Sequence, residues 1–206
     1  MRRLLIATTN PAKLAEYRIL LAGFALELVS LADLKVDSAP AESGTTFAEN
    51  AMLKAHYYFE RSGLPTLADD GGLEVDALGG EPGVRSHRWL GGGVMSGDEA
   101  LADEVIRRMK GVEPGRRTAR IRAAAALVYR EGAEVRERVA EAAIEGVIPE
   151  HRYPQMRRGF PYRAVLFIPE RQCYLAELGE REEARISQRR MAVDKLRGDV
   201  QSIART

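Results

Sequence analysis

A chain of 206 residues suffices for one large domain or two intimate lobes. Its 45% hydrophobic and 30% charged residues are an ordinary soluble balance, and 31 basic against 30 acidic side chains provide no global field for a long nucleic acid, so an anionic ligand must be held by local groups. A single cysteine, Cys173, excludes an internal disulfide and fits a reducing compartment, the apolar run at residues 4–7 is too short for a signal sequence, and no stretch approaches the ~20 apolar residues of a membrane span, so the expectation is a cytoplasmic protein with no membrane contact.

Residues 4–7 are predicted as a short buried strand. Thr8, Thr9, Asn10 and Pro11 signal a turn, and Pro11 suits the first position of a helix that Leu14, Tyr17, Leu20 and Leu21 continue to Gly23. Residues 26–29 read as a second strand and 33–45 as a polar loop. Thr46 and Glu49 have the capping-box spacing, which predicts a helix over about 47–61, stopped by Ser62-Gly63. In that helix Asn50 and Lys54 share a face, while Ala51, Ala55 and Tyr58 turn to the core. A strand at 66–68 is expected to end in Asp69-Asp70-Gly71-Gly72, with another at 73–78. The turn-rich segment 79–93 reads as a surface loop around Trp89, which anchors it.

Residues 98–109 are predicted as a helix with Leu101, Val105, Ile106 and Met109 inward. Ala119, Ile121, Ala123, Ala125, Leu127 and Tyr129 alternate as in a long strand, and Glu131-Gly132 turns it into a hairpin whose second arm, 134–144, exposes alternating charge. Residues 163–168 read as one more strand and 180–195 as the last helix. Arg116-Arg117 and Arg157-Arg158 read as solvated basic faces. His56, His87 and His151 lack metal-site spacing. Strands and helices mixed in this way predict an α/β chain with a mixed sheet.

Two segments carry chemistry. Thr8, Thr9, Asn10 and Lys13 join a strand to a helix, where unpartnered amides and the positive end of the helix dipole suit phosphate oxygens. An ordinary helix capped by Asn10, with Lys13 in solvent, fits the same residues. Asp69 and Asp70, with Glu42 from the preceding loop, form a donor set for a hard cation such as Mg²⁺, and a carboxylate beside it can accept a proton from an attacking water. A plain Asp-Asp-Gly-Gly turn is the other reading.

Together the blocks resemble a family. Ile6-Ala7-Thr8-Thr9-Asn10-Pro11-Ala12-Lys13 resembles the phosphate loop of inosine triphosphate pyrophosphatases. Glu42-Ser43-Gly44-Thr45-Thr46-Phe47-Ala48-Glu49-Asn50-Ala51 with Lys54-Ala55, Leu67-Ala68-Asp69-Asp70-Gly71-Gly72-Leu73, and Pro82-Gly83-Val84-Arg85-Ser86-His87-Arg88 are similar to its next three blocks, in family order. The resemblance implies a single domain over 1–206 with an elongated mixed β-sheet, flanking helices and two lobes around a central cleft. It also implies a homodimer and Mg²⁺-dependent hydrolysis of inosine- or xanthosine-like triphosphates to monophosphate and pyrophosphate. Carried over, Asn10, Lys13 and Lys54 bind phosphate; Thr8 and Thr9 join them as neutral donors of the same loop, and Gly71 is a substrate-side candidate that stands where the family usually has a serine. Glu42 and Asp70 hold Mg²⁺, and Asp70 is the base; Asp69 is a further candidate ligand from its place beside Asp70, not from the resemblance.

The later blocks depart from the pattern. The family's Phe-Gly-[Tyr/Trp]-Asp-Pro segment stands here as Phe160-Pro161-Tyr162-Arg163-Ala164. Its Lys-(x)₃-Ser-His-Arg segment stands as Glu183-Ala184-Arg185-Ile186-Ser187-Gln188-Arg189. Phe160, Tyr162, Arg163, Glu183, Gln188 and Arg189 are therefore the candidates for base recognition, with the preference altered. The simultaneous exchange of acid for base and base for acid predicts that Arg163 and Glu183 face each other; two solvated surface charges on an eroded pocket are the other reading. Modified pyrimidine or deoxynucleotide substrates, and a nucleotide-binding or regulatory member with lost turnover, are the competing functional readings.

Overall fold

The computed structural model describes residues 1–91 and 97–205. In chain order the elements are strand β1 (Arg2–Ala7), helix α1 (Pro11–Leu20), β2 (Leu26–Ser30), α2 (Phe47–Ser62), β3 (Thr66–Val75), α3 (Asp98–Arg108), β4 (Thr118–Glu131), β5 (Glu134–Val147), β6 (Phe167–Ile168), β7 (Cys173–Tyr174), α4 (Glu180–Ile186), α5 (Gln188–Lys195) and α6 (Arg197–Arg205). The sheet is seven-stranded and mixed, in the order β2-β1-β3-β4-β5-β6-β7. β1 lies parallel to both β2 and β3, whereas β6 is antiparallel to β5 and β7.

The chain divides into two compact units: Met1–Asp70 with Ala123–Ala142 and Arg189–Thr206, and Gly71–Arg122 with Ala143–Gln188. In the first unit the local signals work as predicted. Asn10 caps α1 and Pro11 opens it; Thr46 and Glu49 form the reciprocal capping box of α2, which Gly63 ends in a left-handed conformation (φ 66°). Leu4, Leu5, Ile6, Tyr17, Ala51, Ala55 and Tyr58 are buried together with residues 123–129 of β4, which are enclosed on both faces rather than alternately. The run of alanines there presents little bulk on either side of the strand. The first residues of β5 are exposed, Val135 and Val139 included.

Several predicted boundaries change. Asp69-Asp70-Gly71-Gly72 is not a turn: β3 passes straight through it to Val75. The reason lies in the second unit. The Leu73 amide donates to the Ser86 hydroxyl (3.2 Å), which donates to the Gly83 carbonyl (2.6 Å), and Gly72 packs so closely on Ser86 that a Cβ would collide with it. The glycine serves close approach, not chain reversal. The segment after Val75 closes in a short 3-10 turn at Asp76–Leu78. In the predicted surface loop Ser86 and Trp89 are buried; Trp89 anchors it by donating to Glu81 (3.1 Å). Residues 92 and 93 of that loop lie outside the described residues.

In α3 the inward residues are Leu101, Ala102 and Val105, with Met109 just beyond, and Ile106 is only half-buried. Arg117 is not on a solvated face: it is buried and donates to the carbonyls of Met109, Val112, Ile148 and Pro149. The strand predicted at 163–168 is a 3-10 turn, Pro161–Ala164, followed by the two-residue β6, because Pro161 sets a helical φ at the first position and lacks the N–H a ladder needs. The predicted last helix is broken at Ser187, whose extended backbone (ψ 146°) separates α4 from α5, and α6 follows unpredicted. No helix among the described residues is long and apolar enough to cross a membrane.

Candidate active site

At the end of β1 the chain turns through Thr8 and Thr9 into α1. The Asn10 amide donates to the Thr8 hydroxyl (3.2 Å), and the Asn10 side-chain oxygen accepts from the amides of Ala12 (2.9 Å) and Lys13 (3.3 Å). Asn10 is thus the helix cap, while Thr9 is exposed. Lys13 does not stand in solvent. It is buried, and its ammonium lies 3.0 Å from Asp69 Oδ2.

A strand sends successive side chains to opposite faces, so Asp69 and Asp70 meet different partners. Asp69 Oδ2 receives both Lys13 and Arg189 Nε (2.9 Å), and Arg189 reaches on to Glu16 Oε2 (3.2 Å). Burial works against the Asp69 charge, but Lys13, Arg189 and Lys54 outweigh it and hold the carboxyl well below the usual carboxylate range. Burial, with help from Arg189 and Lys54, lowers Lys13 in spite of Asp69. Tyr17, buried beside this group, is pushed well above the usual phenol value by burial and by the Asp69 charge.

Asp70 turns to α2. Lys54 Nζ donates to Asp70 Oδ1 (3.2 Å) and to Glu42 Oε1 (3.0 Å). Burial raises the Asp70 pKa, outweighing Lys54 and Lys13, and the neighbouring Glu42 charge adds to the rise. For Lys54 burial works downward, but Asp70, Glu42 and Asp69 together raise it. The loop that brings Glu42 is pinned at Gly44, whose amide donates to the buried Asn50 side chain (2.8 Å), and a Cβ on Gly44 would come within 2.7 Å of that same oxygen.

The residues fit a hard cation. Glu42 and Asp70 already converge on one ammonium, and Asp70 Oδ2 is buried with no hydrogen-bond partner among the described residues. Asp69, predicted as a further ligand, has Oδ2 committed to Lys13 and Arg189, and only its Oδ1 has no such partner. Among the described residues no group of three His, Cys, Asp or Glu side chains forms a cage. Mg²⁺ characteristically takes one or two carboxylates and completes its shell with water and substrate phosphates.

The second unit holds the candidate base-recognition residues except Arg189. Arg163 Nε lies 2.6 Å from Glu183 Oε1, both side chains being 4% exposed, so the predicted pair forms. Arg157 is hydrogen-bonded to Glu183 too and donates to the Leu178 carbonyl (3.1 Å); it is no solvated surface charge. The Arg163 guanidinium stacks 3.5 Å from the Phe160 ring centroid. Tyr162 is buried and its hydroxyl donates to the Ser86 carbonyl (2.5 Å), which pushes neither ring nor hydroxyl towards solvent. Gln188 is 2% exposed, and its side-chain oxygen has no hydrogen-bond partner among the described residues. Gly71 is buried within β3.

A family model described as the Ham1 family matches residues 4–199. The chain belongs to the Ham1 family. It is 39% identical over 191 residues to a dITP/XTP pyrophosphatase of Methylococcus capsulatus, covering 93% of this chain and 92% of that one. A dITP/XTP pyrophosphatase of Thermus thermophilus is 41% identical over 194 residues, covering 94% and 89%. The structure of a HAM1 protein from Coxiella burnetii superposes with a TM-score of 0.84 at 30% identity, covering 98% of this chain and all of that one.

Within this Ham1-family chain, sequence reasoning missed Glu16, which shares Arg189, and Arg157, which shares Glu183. Glu16 lies three residues after Lys13 on α1, so helical spacing offered a signal for it. Nothing local marks Arg157, which lies outside the helices and strands and whose partner is in α4.

Proposed function

We propose that this Ham1-family chain hydrolyses nucleoside triphosphates of the inosine and xanthosine kind to the monophosphate and pyrophosphate, with Mg²⁺. The supporting observation is the convergence of Glu42, Asp70 and Lys54 beside a buried Asp70 oxygen that has no hydrogen-bond partner among the described residues. The names of the dITP/XTP pyrophosphatases it resembles point the same way.

Phosphate binding is assigned to Thr8, Thr9, Asn10, Lys13, Lys54 and Gly71, and metal holding to Glu42 and Asp70, with Asp69 contributing Oδ1. Mg²⁺ held there would neutralise phosphate charge and would make the attacking water more acidic. Lys54 keeps the two carboxylates together before substrate arrives. Asp70, whose buried Oδ2 has no hydrogen-bond partner among the described residues, accepts the proton of the water that cleaves the α–β anhydride. Asp69 and Arg189 fix Lys13 at the start of α1. Base recognition is assigned to Phe160, Tyr162, Arg163, Glu183 and Gln188. Positioning and charge neutralisation are most of what this reaction needs from a protein. One folding domain over 1–206, a homodimer and cytoplasmic residence belong to the same reading.

A second reading, nucleotide binding without turnover, draws support from the commitment of Lys13 and Arg189 to Asp69. A panel of triphosphates with Mg²⁺, scored for pyrophosphate against orthophosphate, separates the two. Pyrophosphate from inosine or xanthosine triphosphate supports hydrolysis. Saturable binding with no product supports the second reading and overturns the first.

A further inference from the structure

Gln188 stands apart from the other candidates for base recognition. Tyr162 spends its hydroxyl on the Ser86 carbonyl (2.5 Å), and Glu183 is held by Arg163 and Arg157. Gln188 opens α5 with a side chain that is buried (2% exposed), and its Oε1 has no hydrogen-bond partner among the described residues. Burying an acceptor without a donor is unfavourable, and most buried polar groups find one.

The donor that suits it is an N–H on the edge of a base. A purine carries one there beside an acceptor. On adenine the 6-amino group stands next to N1; on hypoxanthine the ring N1–H stands next to O6. The order of donor and acceptor is reversed between the two. A side-chain amide offers an acceptor and a donor in one plane, and its terminal torsion is roughly two-fold. Turned one way it pairs with the adenine edge, and turned over it pairs with the hypoxanthine edge. Strong discrimination between such analogues needs a polar group that the wrong base leaves buried and unpaired. An amide that turns over leaves none.

We propose that Gln188 reads the edge of the base and admits the amino-purine adenine alongside the oxo-purines. The substrate class then extends to adenosine triphosphate. The inference rests on the base-recognition role assigned above and widens it.

The test is calorimetric binding of adenosine, inosine and guanosine monophosphates, which have no anhydride to cleave, to the full chain. Wild type is expected to bind the adenosine and inosine compounds within about tenfold of each other. Gln188→Met keeps the length of the side chain without its polar end. It is expected to weaken both by about tenfold, while ribose 5-phosphate, which has no base, binds as it does to wild type. Gln188→Glu only accepts, and guanine presents N1–H and its 2-amino group side by side. That variant is expected to raise the guanosine-to-adenosine ratio at least about tenfold, whereas lost packing alone lowers all three affinities alike. An inosine-to-adenosine ratio above about tenfold in wild type, no binding of any monophosphate, wild-type affinities in Gln188→Met, or an unchanged guanosine-to-adenosine ratio in Gln188→Glu overturns the proposal. The wild-type ratio decides the matter even where a variant does not fold. A chain that binds adenosine and inosine monophosphates alike yet releases no pyrophosphate from any triphosphate sinks only the hydrolytic reading. One that releases pyrophosphate from inosine triphosphate but fails the wild-type ratio sinks only this one.

Discussion

Asp69 and Asp70 are consecutive on one strand and hold different cations: Asp69 takes Lys13 and Arg189, and Asp70 takes Lys54, which it shares with Glu42. The alternation of a strand is the cause. It splits an acidic pair into an anchor within the fold and a group beside a second carboxylate.

Replacing Asp70 by Asn is expected to lower pyrophosphate release by at least about 10²-fold, the range for removing a general base, while nucleotide affinity stays within about tenfold. Steady-state release and calorimetry on the same preparation check it. Turnover near the wild-type value removes Asp70 as the base.

Replacing Asp69 by Asn acts first on stability. It leaves Lys13 and Arg189 buried without their shared carboxylate, and breaking such a pair costs roughly 3–5 kcal/mol. Urea unfolding at neutral pH is expected to show a far larger midpoint loss than Asp70→Asn. Equal losses for the two variants contradict the division of labour.

Gly72→Ala is expected to destabilise by about 1–3 kcal/mol, because the new methyl collides with Ser86 and lies 3.0 Å from the Gly83 carbonyl. Ser86→Gly in that background clears the collision and is expected to recover part of the loss. A double-mutant cycle in which the two changes simply add shows that Gly72 and Ser86 do not constrain each other.

Glu104 accepts from Arg107 and Arg108, and those hydrogen bonds lower its pKa to about 2. A folded value below that of the unfolded chain contributes stability above the unfolded pKa of about 4.3 and loses it as pH falls towards the folded value. Solvent screening limits the contribution to about 1 kcal/mol. Glu104→Gln is therefore expected to be less stable than wild type at about pH 7, with the gap narrowing below about pH 4. Denaturant midpoints across that range test the sign, and a gap that widens in acid refutes it.

Local chemistry by itself determined much of this protein. Asn10-Pro11 and the Thr46–Glu49 box set the starts of two helices, because capping groups and a fixed proline φ act within a few residues. Block order brought Glu42, Lys54 and Asp70 forward together, and in the structure the two carboxylates share the Lys54 ammonium. The exchange of charge between positions 163 and 183 also announced the Arg163–Glu183 pair before the fold was known. Tertiary structure decided the rest. The Asp-Asp-Gly-Gly run became a strand because Ser86, distant in sequence, packs on Gly72 and binds the Leu73 amide. Lys13 and Arg117 turned inward because remote oxygens, Asp69 Oδ2 for one and four backbone carbonyls for the other, compensate their burial. Propensity and spacing report on neighbours along the chain, whereas a buried charge answers to whatever the fold brings beside it.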